Sequence, residues 1–154
     1  MKISVIIPSW NRADQLVAAL DSVCTQSVAP HEIIVVDDGS TDNTRELLAR
    51  HHPDVHYIFQ QNQGVSHARN TGIKAAGGDW IALLHSDDRW EPCKLERQQQ
   101  AIRANPAYKV CHSDEIWIRN GRRVNPMKKH AKHGGRIFRH CLPLCVIWPS
   151  AVMI

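Results

Sequence analysis

No stretch of this 154-residue chain approaches the ~20 consecutive apolar residues that a membrane-spanning helix needs. Its amino terminus lacks a signal-peptide cleavage pattern and reads instead as a strand, Lys2-Ile3-Ser4-Val5-Ile6-Ile7, stopped by Pro8. A soluble, cytoplasmic protein is therefore expected. Internal repeats and low-complexity segments are missing too, which excludes solenoids and arrays. Cysteine is sparse: the five present (Cys24, Cys93, Cys111, Cys141, Cys145) contain no CxxC pair, so neither a disulfide framework nor a zinc ribbon is indicated. They read as reduced, mostly buried thiols. Cys141 and Cys145 stand beside His130, His133 and His140, a set that could gather a metal. A solvated His-rich segment next to core cysteines is the reading adopted.

The most informative absence is one of charge. No Asp or Glu follows Glu115, so the net charge of +4 divides into −4 for residues 1–115 and +8 for the remainder. Arg119, Arg122, Arg123, Lys128, Lys129, Lys132, Arg136 and Arg139 make that basic tail, which would attract phosphates, an acidic partner or an anionic membrane surface. Nucleic acid is not expected as a partner, because no aromatic-interleaved basic motif or recognition helix accompanies the charge.

With 43% hydrophobic residues, the chain has material for one domain, 1–154, with a buried core. Residues 3–7, 33–36 and 80–84 are almost continuously apolar and β-branched, as strands covered on both faces are. Leu16, Leu20 and Val23 recur at helical spacing, with Asn11 as the expected cap and Asp14 near the positive helix end. A second helix is expected from Ser40–Asp42 to Pro53, a strand over Val55–Phe59, and a helix over Ser66–Ala76 closed by Gly77-Gly78. Pro92 should open a further helix that ends before Pro106. Tyr108–His112 is another strand candidate, and Asn120-Gly121 marks a hairpin turn. Alternating elements of this kind predict an α/β fold with a mostly parallel sheet and helices on both faces. The apolar run Ala151-Val152-Met153-Ile154 stops without a polar fringe; a free end would expose it, which suggests that more protein normally follows.

Ligands of open α/β sheets bind outside the carboxyl ends of the strands. Those ends carry Pro8-Ser9-Trp10-Asn11-Arg12, Asp37-Asp38-Gly39-Ser40 and His85-Ser86-Asp87-Asp88. Two carboxylate pairs at neighbouring strand ends repel unless a cation or hydrogen-bond donors compensate. A divalent cation is the simplest compensation, and Mg or Mn suits carboxylate ligands shared with substrate phosphates. Each acid pair alone is equally compatible with helix capping or a solvated turn.

In order and spacing, however, IIPSWNR, VVDDGSTDNT, NQGVSHARNTGI and LLHSDDRW closely resemble the successive signatures of family 2 glycosyltransferases of the GT-A fold. The resemblance covers residues 3 to about 120. It implies that Pro8, Ser9, Asn11 and Arg12 surround the nucleoside, with Trp10 where the family often has Tyr or Phe. It further implies that Asp38 accepts a hydrogen bond from the base, selecting uracil-like donors, and that Asp37 shapes its turn. The segment Gly64 to Asn70, with Arg69, would close over the nucleotide. Asp87 would hold the ribose or assist the metal, and Asp88 would ligate an Mn or Mg ion bridging the two phosphates. One departure is His85, where many members carry a third acid; a neutral histidine lining the cleft is expected there.

The activity so implied is metal-dependent, inverting transfer from a nucleotide-diphosphate sugar, a UDP-sugar foremost, to a glycan or lipid-linked acceptor. Inversion needs a carboxylate base, which the family places downstream of the region matching Pro149 to Ile154. Within this chain only Asp114 and Glu115 stand on the acceptor side, Asp114 being a weak candidate. Two other readings are open: a nucleotide-sugar-binding module without catalysis, and a metal-dependent nucleotidyltransferase. The latter usually has a Gly-rich phosphate loop after the first strand, which Ser-Trp-Asn-Arg is not.

Overall fold

The computed structural model describes the chain apart from Pro126, Leu144, Cys145 and the side chains of Phe138 and His140. In chain order the elements are β1 (Ile3–Ser9), α1 (Ala13–Cys24), β2 (Glu32–Asp37), α2 (Thr44–His51), β3 (His56–Phe59), α3 (Val65–Ala75), β4 (Trp80–Leu83) and α4 (Lys94–Ala104). There follow β5 (Cys111–His112), the hairpin strands β6 (Trp117–Arg119) and β7 (Arg122–Val124), α5 (Phe138–Cys141) and β8 (Val152–Met153). A short 3-10 turn, Pro149–Ala151, leads into β8.

The main sheet has the order β3-β2-β1-β4-β8-β5. The first four strands are mutually parallel, as the apolar runs predict, and every residue of β1 is buried. Alternate β1 side chains serve different layers. Ile3, Val5 and Ile7 join Leu16, Ala19, Leu20 and Val23 of α1, Leu48 of α2, and Leu95 and Ile102 of α4. On the opposite face α3 lies over Ile34 and Val36 through Ala68. Burying a leucine such as Leu16 or Leu20 contributes about 1.5–3 kcal/mol. Packing of this kind therefore sustains α2, which at 8 residues is shorter than an isolated helix can be. A β-carbon on Gly72 would lie 2.5 Å from Ile6 Cγ2 and 3.2 Å from Val36 Cγ2, so the missing side chain sets how closely α3 approaches the sheet.

Several local expectations are corrected. Asn11 does not cap α1: its backbone takes φ of 51° and its Oδ1 accepts from the Thr41 amide, 2.8 Å away. The Ala13 amide instead donates to Asp42 Oδ2 at 3.2 Å, while the Thr44 amide donates to Asp42 Oδ1 at 3.1 Å. One carboxylate thus serves the starts of both α1 and α2. Burial alone would raise its pKa, but these bonds and the Thr44 hydroxyl outweigh that and lower it. For the same reason α2 begins at Thr44, later than Ser40–Asp42. Separately, α4 begins at Lys94, two residues past Pro92. Gly77 and Gly78 do not form a left-handed cap. Gly78 lies against Ser4, where a β-carbon would come within 2.5 Å of Ser4 Oγ.

The strand candidate Tyr108–His112 shortens to β5, which pairs antiparallel with β8. Val152–Met153, expected to be exposed, is inserted between β4 and β5, and Met153 is fully buried. The short-range pattern could not show this, because the pairing partners lie about 40 and 70 residues away. The Asn120-Gly121 turn is borne out, with φ of 51° and 71° at its two corners as a type I′ hairpin requires. The cysteines are not mostly buried: Cys24 and Cys93 are exposed and Cys111 and Cys141 half-buried, since Cys24 ends α1 and Cys93 precedes α4. These four are free thiols, and the alternative metal grouping rests on Cys145 and the His140 side chain, outside the described residues. Among the described residues no helix is long and apolar enough to cross a membrane.

Candidate functional site

Strand order reverses beside β1, whose neighbours β2 and β4 lead away in opposite directions, so a crevice opens where the ends of β1 and β4 diverge. The two acid pairs flank β1 on either side and do not occupy adjacent strands. They are also neutralised by different means.

Asp37 and Asp38 are 2% and 3% exposed, and donors of the chain itself surround them. Asp37 Oδ1 accepts from the Ser40 amide at 2.8 Å and Oδ2 from the Tyr57 hydroxyl at 2.6 Å, which closes the turn after β2. Burial and this carboxylate hold the Tyr57 phenol well above its usual pKa. Asp38 Oδ1 accepts from Gln60 Nε2 at 2.7 Å and the Gln63 amide at 3.0 Å; Oδ2 accepts from the Gly64 amide at 2.8 Å. Both oxygens of this buried carboxylate are thus paired, and the hydrogen bonds fasten the 60–64 loop to the end of β2. Two glycines make the approach possible. Gly39 (φ 83°) would drive a β-carbon to 2.9 Å from the Asn62 nitrogen, and Gly64 (φ 88°) begins α3 in a conformation that L residues rarely adopt.

Asp87 and Asp88 are exposed. The Asp88 amide donates to the His85 carbonyl at 3.1 Å, forming a tight turn that folds the two residues toward each other. As a result His85, Asp87 and Asp88 each offer a ligand atom within 4.8 Å of the others. Two hard carboxylates with an imidazole, open to one side, fit a divalent cation that keeps positions for water or phosphate. The Arg12 guanidinium forms an ion pair with Asp87, joining the end of β1 to the turn after β4. Arg69 of α3 donates to His85 Nε2. Burial first, and Arg69 second, lower the His85 pKa, in agreement with the neutral histidine expected there. Burial likewise lowers that of Arg69.

Of the other expected site residues, Pro8 and Ser9 are buried at the end of β1, and Ser9 Oγ has no partner among the described residues. Trp10 is 54% exposed at the mouth, and Asn70 is exposed on α3. Asn11 joins the β1 loop to Ser40 and Thr41. Asp114 is exposed just beyond β5, whereas Glu115 is held by Trp117 Nε1 at 3.0 Å and by Lys132. Sequence reasoning missed Tyr57, Gln60, Asp42 and Ser150. The polar run Gln60-Gln61-Asn62-Gln63 between a strand and a helix was the one signal that could have drawn attention to Gln60. A separate concavity of about 560 Å³, bordered by Cys24, His31, His51 and His52, lies at the opposite end of β2 and is unrelated to this crevice.

A parallel α/β sheet with paired acids at its switch point defines an α/β protein with a ligand crevice at the carboxyl ends of its strands. Comparison narrows this: the sequence model described as Glycosyl transferase family 2 matches residues 4–144, and the chain belongs to that family. It is 40% identical over 129 residues to an uncharacterized glycosyltransferase of Nostoc, covering 81% of this chain and 40% of that one. Among solved structures, residues 1–349 of S. aureus TarS in complex with UDP-GlcNAc superpose with a TM-score of 0.70 at 26% identity, covering 86% of this chain and 39% of that one. The mannosyltransferase PcManGT of Pyrobaculum calidifontis, in complex with GDP-Man and Mn2+, gives 0.62 at 28% identity, over 71% and 34%. The fold is GT-A, and the chain spans only 34% to 40% of the length of these three proteins.

Proposed function

We propose that this chain is the nucleotide-sugar-binding part of a metal-dependent, inverting glycosyltransferase that uses a UDP-sugar donor and a glycan or lipid-linked acceptor. The observation that carries the reading is the convergence of His85, Asp87 and Asp88 at the carboxyl end of β4, across the crevice from the buried Asp38. The ligands of the TarS and PcManGT complexes, UDP-GlcNAc in one and GDP-Man with Mn2+ in the other, support the donor and metal class.

In this reading residues 1–115 hold the donor and 116–154 begin the acceptor side. Pro8, Ser9, Trp10, Asn11 and Arg12 line the nucleoside region, with Asp37 bracing Asp38. Asp38 keeps lone-pair capacity for a base N–H beyond the bonds it already accepts, and an analogue lacking that donor would leave part of a buried carboxylate unpaired. The stretch from Gly64 through Arg69 and Asn70 covers the nucleotide. Asp88, with Asp87, would ligate Mn or Mg, which when bound supplies neutralisation of the charge growing on the departing nucleoside diphosphate. Arg12 and Arg69 add fixed positive charge beside the same oxygens, and neutral His85 keeps that face of the crevice from becoming more cationic.

Attack by the acceptor hydroxyl requires a carboxylate on the opposite side of the sugar. The family's base lies downstream of the region matching Pro149 to Ile154; of the acids after β5, Asp114 is the weak alternative, since Lys132 and Trp117 already engage Glu115. The basic hairpin and tail suit a phosphate-bearing acceptor at the inner face of a membrane, with the protein cytoplasmic. Calorimetric titration with UDP, GDP and dTDP, with and without Mn2+, tests the reading. Metal-dependent UDP binding supports it, and equal affinity for all three nucleotides contradicts the proposed role of Asp38.

A further inference from the structure

Metal ligands rarely hold their orientation unaided; groups bonded to them fix which lone pair faces the ion. Asp88 is exposed on a turn, and its ordering comes from Ser150, 62 residues further along the chain. Ser150 Oγ donates to Asp88 Oδ2 at 2.5 Å and accepts from the His85 amide at 3.0 Å. One hydroxyl therefore touches both ends of the turn that carries the acid pair. Its own position is over-determined. β8 pairs antiparallel with β4 through Ala82 and Met153, and the 3-10 turn Pro149–Ala151 that leads into β8 carries Ser150 to the His85 amide. The Trp90 indole N–H donates to the Ser150 carbonyl at 2.7 Å, and Ala151 O accepts from Gln98 Nε2 at 2.9 Å and from the Ser113 amide at 3.0 Å.

We infer that Ser150 is a positioning residue for the cation site, its hydroxyl clamping Asp88 Oδ2 so that Oδ1 is presented toward the ion. This rests on the reading of Asp88 as a metal ligand and deepens it by assigning the group that orients it. A hydroxyl with a single proton suits the task. The proton given to Asp88 leaves oxygen lone pairs for the His85 amide, so the three groups lock in one arrangement. Apart from this contact, the strand pairing and the Trp90 bond are made by main-chain atoms of residues 150–154, and a change confined to the hydroxyl leaves them in place.

The test is Mn2+ titration of the purified chain followed by electron paramagnetic resonance of the free ion, without nucleotide. Ser150→Ala should weaken Mn2+ binding roughly ten- to hundred-fold, the range usual for removing a group that supports a metal ligand. Ser150→Thr, which keeps the hydroxyl, should restore parent affinity, and the metal-free melting temperatures of the three proteins should agree closely. Asp88→Asn in parallel separates the two claims. If Asp88→Asn loses Mn2+ while Ser150→Ala binds as the parent does, the Ser150 role is overturned and the metal reading stands. Equal binding by Asp88→Asn and the parent overturns both. An affinity loss that Ser150→Thr shares, together with a lowered metal-free melting temperature, shows a role in holding β8 only and overturns the clamp. Should Ser150→Ala fail to fold, Ser150→Cys, a much weaker donor of similar size, reads the same contrast.

Discussion

The Gly64 amide donates to Asp38 Oδ2 across 2.8 Å, so the first residue before α3 is anchored to the residue that follows β2. With the Gln60 and Gln63 donors, this bond makes Asp38 the anchor of the loop beside it, in addition to the base-recognition role proposed for it. Asp38→Ala should leave those donors unpaired and lower stability by about 1–3 kcal/mol. It should also accelerate amide exchange at Gln63 and Gly64 and weaken UDP binding. Urea denaturation, amide exchange and calorimetry read the three effects. Unchanged exchange at Gly64 would show that the loop is held some other way.

A second prediction concerns α3. Because Ile6 and Val36 are fully buried and cannot retreat, Gly72→Ala forces a methyl group into occupied space. Overpacking of this kind costs about 1–3 kcal/mol, whereas helix propensity alone would favour alanine. A denaturation midpoint lower than the parent's is expected, and a higher one would mean that α3 can shift outward freely.

Asp42 couples the starts of two helices, so Asp42→Ala should exceed the cost of an ordinary lost cap, which is about 1 kcal/mol. Asp42→Asn, which keeps one acceptor, should recover part of the difference in the same denaturation experiment. Equal stability of all three proteins would remove the shared-cap account.

Lys94 gives a pH signature. The residue is 8% exposed, and its buried ammonium group lies 3.6 Å from the centre of the Trp90 ring with no hydrogen-bond partner among the described residues. Burial lowers its pKa to about 7, only partly countered by Cys111. The folded state thus binds fewer protons than the unfolded chain between that value and the ordinary lysine range near 10.4. The sign follows: stability rises with pH across this window, by up to about 1.4 kcal/mol per pH unit, and the burial cost is present in full below it. Lys94→Met should flatten the dependence. Parallel stability-versus-pH curves for the two proteins would contradict it.

The layers and the acid-bearing strand ends were legible in the sequence because local patterns encode them. Unbroken β-branched runs mark doubly covered strands, and residues after those strands face the crevice whatever the helices do. What stayed hidden depends on contacts distant in sequence. Asp42 reaches back to Ala13, Tyr57 reaches Asp37, and β8 inserts at a place that no periodicity in Val152–Met153 reveals. The carboxylate pairs look alike as Asp-Asp, yet one is buried among donors and the other lies open beside Arg12. Burial separates them, and a dipeptide does not carry that information.

The central claim, a cation held by the acid pair after β4 against a donor's pyrophosphate, is tested most directly by UDP calorimetry on the parent and Asp88→Ala, each with Mn2+ and with chelator. The account predicts strong metal dependence for the parent and equal, weak binding by Asp88→Ala under both conditions. Retention of the parent's metal dependence by Asp88→Ala would contradict it.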